Sequence, residues 1–121
     1  MARVNCGLMI DVAERKLYVF GGKSRRGMLN DMWMINLEDL VWTELQTLGD
    51  KPNPISNFSQ IDGQDENGGR ALYIFGGTYT GAGAGNDTYS YSASTNTWKH
   101  YAATGDIPSP RDAAAMAYYN H

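Results

Sequence analysis

Lys16-Leu-Tyr-Val-Phe-Gly-Gly22 returns as Ala71-Leu-Tyr-Ile-Phe-Gly-Gly77. The same punctuation follows each copy in the same order. The first continues with Asn30-Asp31-Met-Trp33, Trp42 and Gly49-Asp50-Lys-Pro52-Asn-Pro54. The second continues with Asn86-Asp87-Thr-Tyr89, Trp98 and Gly105-Asp106-Ile-Pro108-Ser-Pro110. The offsets 87 − 31, 98 − 42, 106 − 50 and 110 − 54 are all 56, and the diglycines differ by 76 − 21 = 55. Chance does not hold five features in register. A repeat of this length means that the folding unit is one supersecondary module and that the fold is a stack of modules.

Within each module the pattern is of strands. Val4–Asp11 is short and apolar, with Ala13-Glu-Arg as the turn after it. Lys16–Phe20 alternates β-branched and aromatic residues and is expected to stop at Gly21-Gly22. Met32–Leu37 and Val41–Leu45 read as the third and fourth strands, joined by a turn at Glu38-Asp39. Gly49–Pro54 reads as a loop, because prolines cannot donate to a sheet ladder. The second module repeats this order with Phe58–Ile61, Leu72–Phe75, Thr88–Ser92 and Thr97–Tyr101. Asp62–Gly69 is its long polar hairpin loop, Ser94-Thr-Asn96 a turn and Gly105–Pro110 again a linker. Ala113–Tyr119 looks like the first strand of a third module, and no segment keeps a helical period.

A diglycine closing a hydrophobic strand, then an aromatic, then Trp nine residues later (33 to 42, 89 to 98) resembles the kelch repeat over nearly the whole chain. The fold class expected is all-β, with two four-stranded antiparallel propeller blades plus one strand. Blade one spans about 3–47, blade two about 56–102 and the extra strand about 113–119, within a single region of residues 1–121. Trp33, Tyr89, Trp42 and Trp98 are then core residues between stacked blades, since they recur in register. Two blades cannot close a ring, so the propeller is partial or completed by oligomerisation. Arg3–Asp11 aligns with Arg111–Tyr119, which gives one opening strand more than two blades need. That surplus favours a piece of a longer propeller over a ring of two-blade chains.

Composition narrows the function. A chain of 121 residues suggests one domain, and 42% hydrophobic with 19% charged residues is ordinary for a globular protein. A net charge of −3 leaves no electrostatic footprint for nucleic acid. No run approaches a membrane span. The apolar stretch near the N-terminus is too short for a signal peptide and is interrupted by Asp11. With the single Cys6, expected to be a buried inert thiol, this predicts a cytoplasmic protein without disulfides.

Catalytic constellations are missing from the pattern. His100 and His121 have no metal-ligand spacing with other residues, and Gly81-Ala-Gly-Ala-Gly85 precedes a strand where a phosphate loop needs a helix. Among kelch-like propellers are copper-radical oxidases and iron enzymes, but none of their ligands aligns with a residue here. No catalytic residue and no cofactor is expected. The resemblance implies that loops joining strand two to three, and blade to blade, share one face that binds protein partners. Loops on a rigid scaffold are where binding residues concentrate. The candidate partner-binding residues are Arg25 and Arg26, suited to an acidic segment, Tyr79 as an aromatic contact, and Arg111 at the start of a first strand. Family linkers often carry Arg followed by Gly-His; the first linker has Ile55 in place of the Arg, and neither linker has the Gly-His. The expected function is a non-catalytic protein-interaction scaffold whose partners also include further blades of the same or another chain. The alternatives are a propeller enzyme with its metal site in other blades and a purely structural, self-assembling blade unit.

Overall fold

The computed structural model describes residues 2–112, so the expected strand at 113–119 lies outside the described residues. Every regular element within them is a β-strand. Blade one is an antiparallel sheet in the order β1 (Gly7–Asp11), β2 (Lys16–Ser24), β3 (Gly27–Asn36), β4 (Trp42–Leu45). The linker supplies two short strands, β5 (Leu48–Gly49) and β6 (Ile55–Ser56). Blade two contains β7 (Ser59–Gln64) and β8 (Arg70–Phe75), then the short β9 (Thr78–Tyr79) and β10 (Gly83–Ala84), then β11 (Thr88–Ser92) and β12 (Thr97–Tyr101). Its order is β7-β8-β11-β12, with β5 added outside β12. A small sheet of β10, β9 and β6 sits at the loop end.

Two expectations are corrected. The diglycine does not end the second strand of blade one. β2 runs through Gly21-Gly22 to Ser24, with a register shift between Phe20 and Gly22. Glycine keeps its N–H, so it bends the ladder as a bulge rather than breaking it. The linker is also not all loop. Leu48 and Gly49 pair in parallel with Thr97 and Trp98, and only afterwards do the prolines leave the ladder. The outer edge of blade two is thereby covered by the segment that delivers the chain to it.

The core lies between the blades. Directly paired residues of an antiparallel sheet share a face. Met9, Tyr18 and Met34 form one row, and Phe20, Met32 and Leu45 another, on the face of blade one that meets blade two. Blade two answers with Leu72, Tyr91 and Trp98, beside Ile74. The Trp98 ring lies 4.5 Å from Phe20 and Tyr91 lies 6.1 Å from Tyr18, centroid to centroid. The inner edge of β1 is capped by side chains of blade two. Leu8 N donates to Gln60 Oε1 (2.7 Å), Gln60 Nε2 donates to Leu8 O (3.0 Å), and Arg70 Nε donates to Ile10 O (3.2 Å).

The repeated Asn-Asp pairs hold the modules at their crossings. Asn30 Nδ2 donates to Pro52 O (3.1 Å) and Asn86 Nδ2 to Pro108 O (3.2 Å), so each asparagine grips the linker leaving its own blade. Asp31 accepts two bonds from the Arg3 guanidinium (2.7 and 2.9 Å) and one from Trp33 Nε1 (2.7 Å), and Arg3 also donates to Gly21 O (3.0 Å). In blade two Ile55 stands at the position of Arg3, as the pairing of Val4 with Lys23 and of Ser56 with Thr78 shows. Asp87 there turns to His100 Nε2 at 3.2 Å. The Arg3 hydrogen bonds hold the Asp31 carboxyl below its ordinary range, against the opposing effect of burial.

The diglycine is required by a close crossing. A Cβ added at Gly21, where φ is +62°, lies 3.0 Å from the carbonyl oxygen of Ile55 and 3.2 Å from that of Leu29. At Gly76, where φ is +68°, the oxygen is that of Arg111, 111 − 55 = 56 residues after Ile55. Gly21→Ala is therefore expected to destabilise by about 2–4 kcal/mol through backbone strain and overpacking. Gly81→Ala, at φ +74° with nothing within 4 Å, is expected to cost about 1 kcal/mol. Thermal unfolding of the two variants checks the contrast.

Asp31→Asn gives a pH-dependent test. The folded-state carboxyl titrates below its unfolded value, so the pair contributes fully above about pH 4, and the contribution is lost as pH falls through the depressed value. The variant should lose about 1–3 kcal/mol at pH 7. Urea titrations at a series of pH values should show the gap to the native chain closing as pH falls below about 4.

Candidate functional site

The turns β2–β3 and β9–β10 and the two linkers emerge at one end of the blades. In blade one Ser24 pairs with Gly27, which leaves Arg25 and Arg26 as the two-residue tip of a hairpin. Ser24 is buried, and its Oγ accepts from Arg26 N (3.1 Å) while donating to Gly27 O (3.2 Å), so the tip is fixed from below. Both arginines are exposed, as is Lys23 beside them. Among the described residues neither arginine side chain has an ion pair or hydrogen bond. Lys51, also exposed, lies on the adjoining linker.

In blade two the same hairpin is one residue longer and carries no charge, its tip being Thr80-Gly-Ala82 between Tyr79 and Gly83. Tyr79 is half-buried against the core cluster, and its hydroxyl is enclosed with no hydrogen-bond partner among the described residues. Burial, and then the neighbouring Tyr89 and Asp87, push its phenol well above the ordinary tyrosine range. Gly85 lies flat on the Tyr79 ring, where a Cβ would collide with it. The glycine-rich segment is thus a short paired hairpin folded over an aromatic rather than a free connector. Arg111 joins the same cluster through its backbone. Its N–H donates to Gly85 O (2.8 Å) and its carbonyl accepts from Gly77 N (3.0 Å). Its exposed guanidinium donates to Ser109 O (3.0 Å) and Ser109 Oγ (3.1 Å). The structure therefore groups Tyr79 with Arg111, and sets Arg25 and Arg26 on the equivalent hairpin of the preceding blade.

Other chemistry-bearing residues have structural surroundings. Cys6 is partly buried beneath Gly22. His100 is taken up by Asp87. Among the described residues no group of three or more His, Cys, Asp or Glu side chains is placed to hold a metal, and no helix is long and apolar enough to cross a membrane. An open concavity of about 500 Å³ on the far face of blade one is lined by Arg3, Val19, Asp31, Trp33 and Trp42. Its charges neutralise each other, and its walls are aromatic and aliphatic. Sequence reasoning passed over Arg3 and Asp31 as partners, although both halves were visible in the alignment of Arg3 with Arg111 and in the repeated Asn-Asp.

The profile of the KLHDC2/KLHL20/DRC7 Kelch-repeats domain matches residues 2–121. Among curated proteins, the Rho GTPase-activating protein gacHH of Dictyostelium discoideum is 34% identical over 106 residues, covering 83% of this chain and 7% of that protein. Acyl-CoA-binding domain-containing protein 5 of Arabidopsis thaliana is 29% identical over 106 residues, 87% of this chain and 16% of that protein. The human Rab9 effector protein with kelch motifs is 31% identical over 103 residues, 84% of this chain and 27% of that protein. The chain thus spans less than a third of each of these relatives. The diglycine crossings, the stacked blades and the match along the sequence agree: the chain belongs to the Kelch-repeat family.

Proposed function

We propose that this chain is a non-catalytic protein-interaction scaffold of the cytoplasm, and that it takes an acidic segment of its partner on the loop end through Arg25 and Arg26. The observation that carries this reading is the divergence of the two hairpin tips. Residues that recur between modules are engaged in crossings, linkers and core. Arg25-Arg26 has no counterpart in blade two, is exposed, and rides on a tip whose backbone is fixed by Ser24. Guanidinium groups held in this way suit bidentate hydrogen bonds to carboxylates. Arg111 is a second cation at the same end, already partly satisfied by Ser109. Tyr79 supports its loop from beneath and offers a ring edge rather than its hydroxyl. A protein ligand also fits the human relative, whose name describes an effector of Rab9.

The test is binding to an array of acidic peptides. Arg25→Glu with Arg26→Glu is expected to weaken capture about ten- to a hundredfold, in line with the loss of one or two charge-assisted bonds. Thermal stability should hold, because both side chains are exposed and unpaired. Capture that is unaffected by the double reversal, or by raised salt, removes the hairpin tip from the site.

A further inference from the structure

The two modules place the same tryptophan in two different environments. Trp98 is 1% exposed, and its position-mate Trp42 is 49% exposed. Trp98 is covered because the face it shares with Leu72 and Tyr91 stacks on blade one. The corresponding face of blade one carries Leu17, Ile35 and Trp42 in one row and Val19, Trp33 and Glu44 in the next. Leu8 and Ile10 add exposed apolar surface at its inner edge and Val41 at its outer edge. Such a contiguous patch marks an interaction surface.

The covered interface specifies the shape of what fits. Trp98 and Tyr91 rest on Phe20 and Tyr18. The residues 55 positions after Tyr18 and Phe20 are Tyr73 and Phe75, on the outward face of blade two. That face pairs Tyr73 with Ser90 and Lys99, and Phe75 with Thr88 and Tyr101. The charges also complement one another. Glu44 flanks Trp33 on the open face of blade one, and Lys99 lies over Tyr101 on the open face of blade two. In the module alignment these two positions are one residue apart along the fourth strand and on opposite sides, so head-to-tail stacking sets them against each other.

We propose that the open face of blade one is a docking site for the outward face of blade two of a second copy of this chain. Trp42 stacks on Phe75 of the second copy as Trp98 stacks on Phe20 within one copy, and Glu44 meets Lys99. The contact continues the interface already present inside the chain, and it is heterologous, so it generates rings or open stacks rather than twofold dimers. It is independent of the Arg25-Arg26 tip, which lies at the loop end.

The experiment is light scattering of the full chain across a range of concentrations, with a charge swap. The native chain should associate. Glu44→Lys and Lys99→Glu should each weaken association at least tenfold, and the double variant carrying both should restore it. Near-ultraviolet circular dichroism establishes that each variant is folded, and Lys99→Glu, on an exposed strand position, provides the test if Glu44→Lys disturbs Arg3 nearby. A native chain that stays monomeric up to roughly 1 mM, weaker than any useful association, overturns the proposal and assigns the face to a blade of different sequence. Association that ignores both single variants, or that the double variant fails to restore, overturns it as well.

Discussion

Everything else in this molecule is arranged around a backbone crossing. At Gly21 the chain passes beneath the carbonyl of Ile55, and at Gly76 beneath that of Arg111. Neither crossing has room for a side chain, and both need a positive φ, so only glycine meets the two conditions together. The crossing fixes where the next module begins. From that point the linker must run back to the outer edge of the following blade, where Leu48 and Gly49 join the ladder of β12. Asn30 and Asn86 then hold the linkers by the carbonyls of Pro52 and Pro108. A period of 56 residues is the length of chain needed to build four strands and return to an equivalent crossing.

Much of this was legible because it repeats. The strands Thr88–Ser92 and Thr97–Tyr101 fall where alternation placed them, and the tryptophan and aromatic positions were read as interblade core from their spacing alone. What was not legible depended on partners distant in the chain. The diglycine was read as a stop because glycine weakens a strand locally, and the carbonyl that actually selects it lies 55 − 21 = 34 residues away. The linker was read as loop from its prolines, but the pairing of Leu48 depends on where β12 lies. Arg3 and Asp31 are 28 residues apart, and nothing local marks one as the partner of the other. Tyr79 was taken for a loop residue, and its ring is half-enclosed because Gly85 folds over it.

The two modules also separate architecture from specificity without any further sequence. Where they agree, the residue is doing something both blades need: Asn30 and Asn86 grip linkers, Gly21 and Gly76 permit crossings, Trp42 and Trp98 occupy one face. Where they differ, the environment differs. Ile55 replaces the arginine found at position 3, and its side chain is fully buried in the interblade core. Asp87, deprived of that guanidinium, takes His100 instead. The hairpin tips differ most, with Arg25-Arg26 against Thr80-Gly-Ala82, and those residues are under no packing demand. Divergence at a rigid, exposed tip is where a scaffold acquires a partner of its own.

The outward faces show a related asymmetry. Blade one turns Met9, Met32, Met34 and Leu45 toward its neighbour, and blade two turns Ser90, Thr88, Lys99 and Tyr101 outward at the matching positions. The polar groups of the second face are partly satisfied within it, since Ser90 Oγ and the Tyr101 hydroxyl lie 3.0 Å apart and Lys99 Nζ sits 4.9 Å from the Tyr101 ring centroid. Methionine and leucine need permanent cover, because leaving them in water forfeits the hydrophobic term that stabilises the pair of blades. Serine, threonine and tyrosine tolerate water and still present aromatic surface for stacking. An interface made by such a face is reversible by composition, whereas the one formed by blade one inside the chain is obligate. The same backbone module therefore supports a permanent junction at one face and an exchangeable one at the other, and the difference resides in a handful of side chains at equivalent positions.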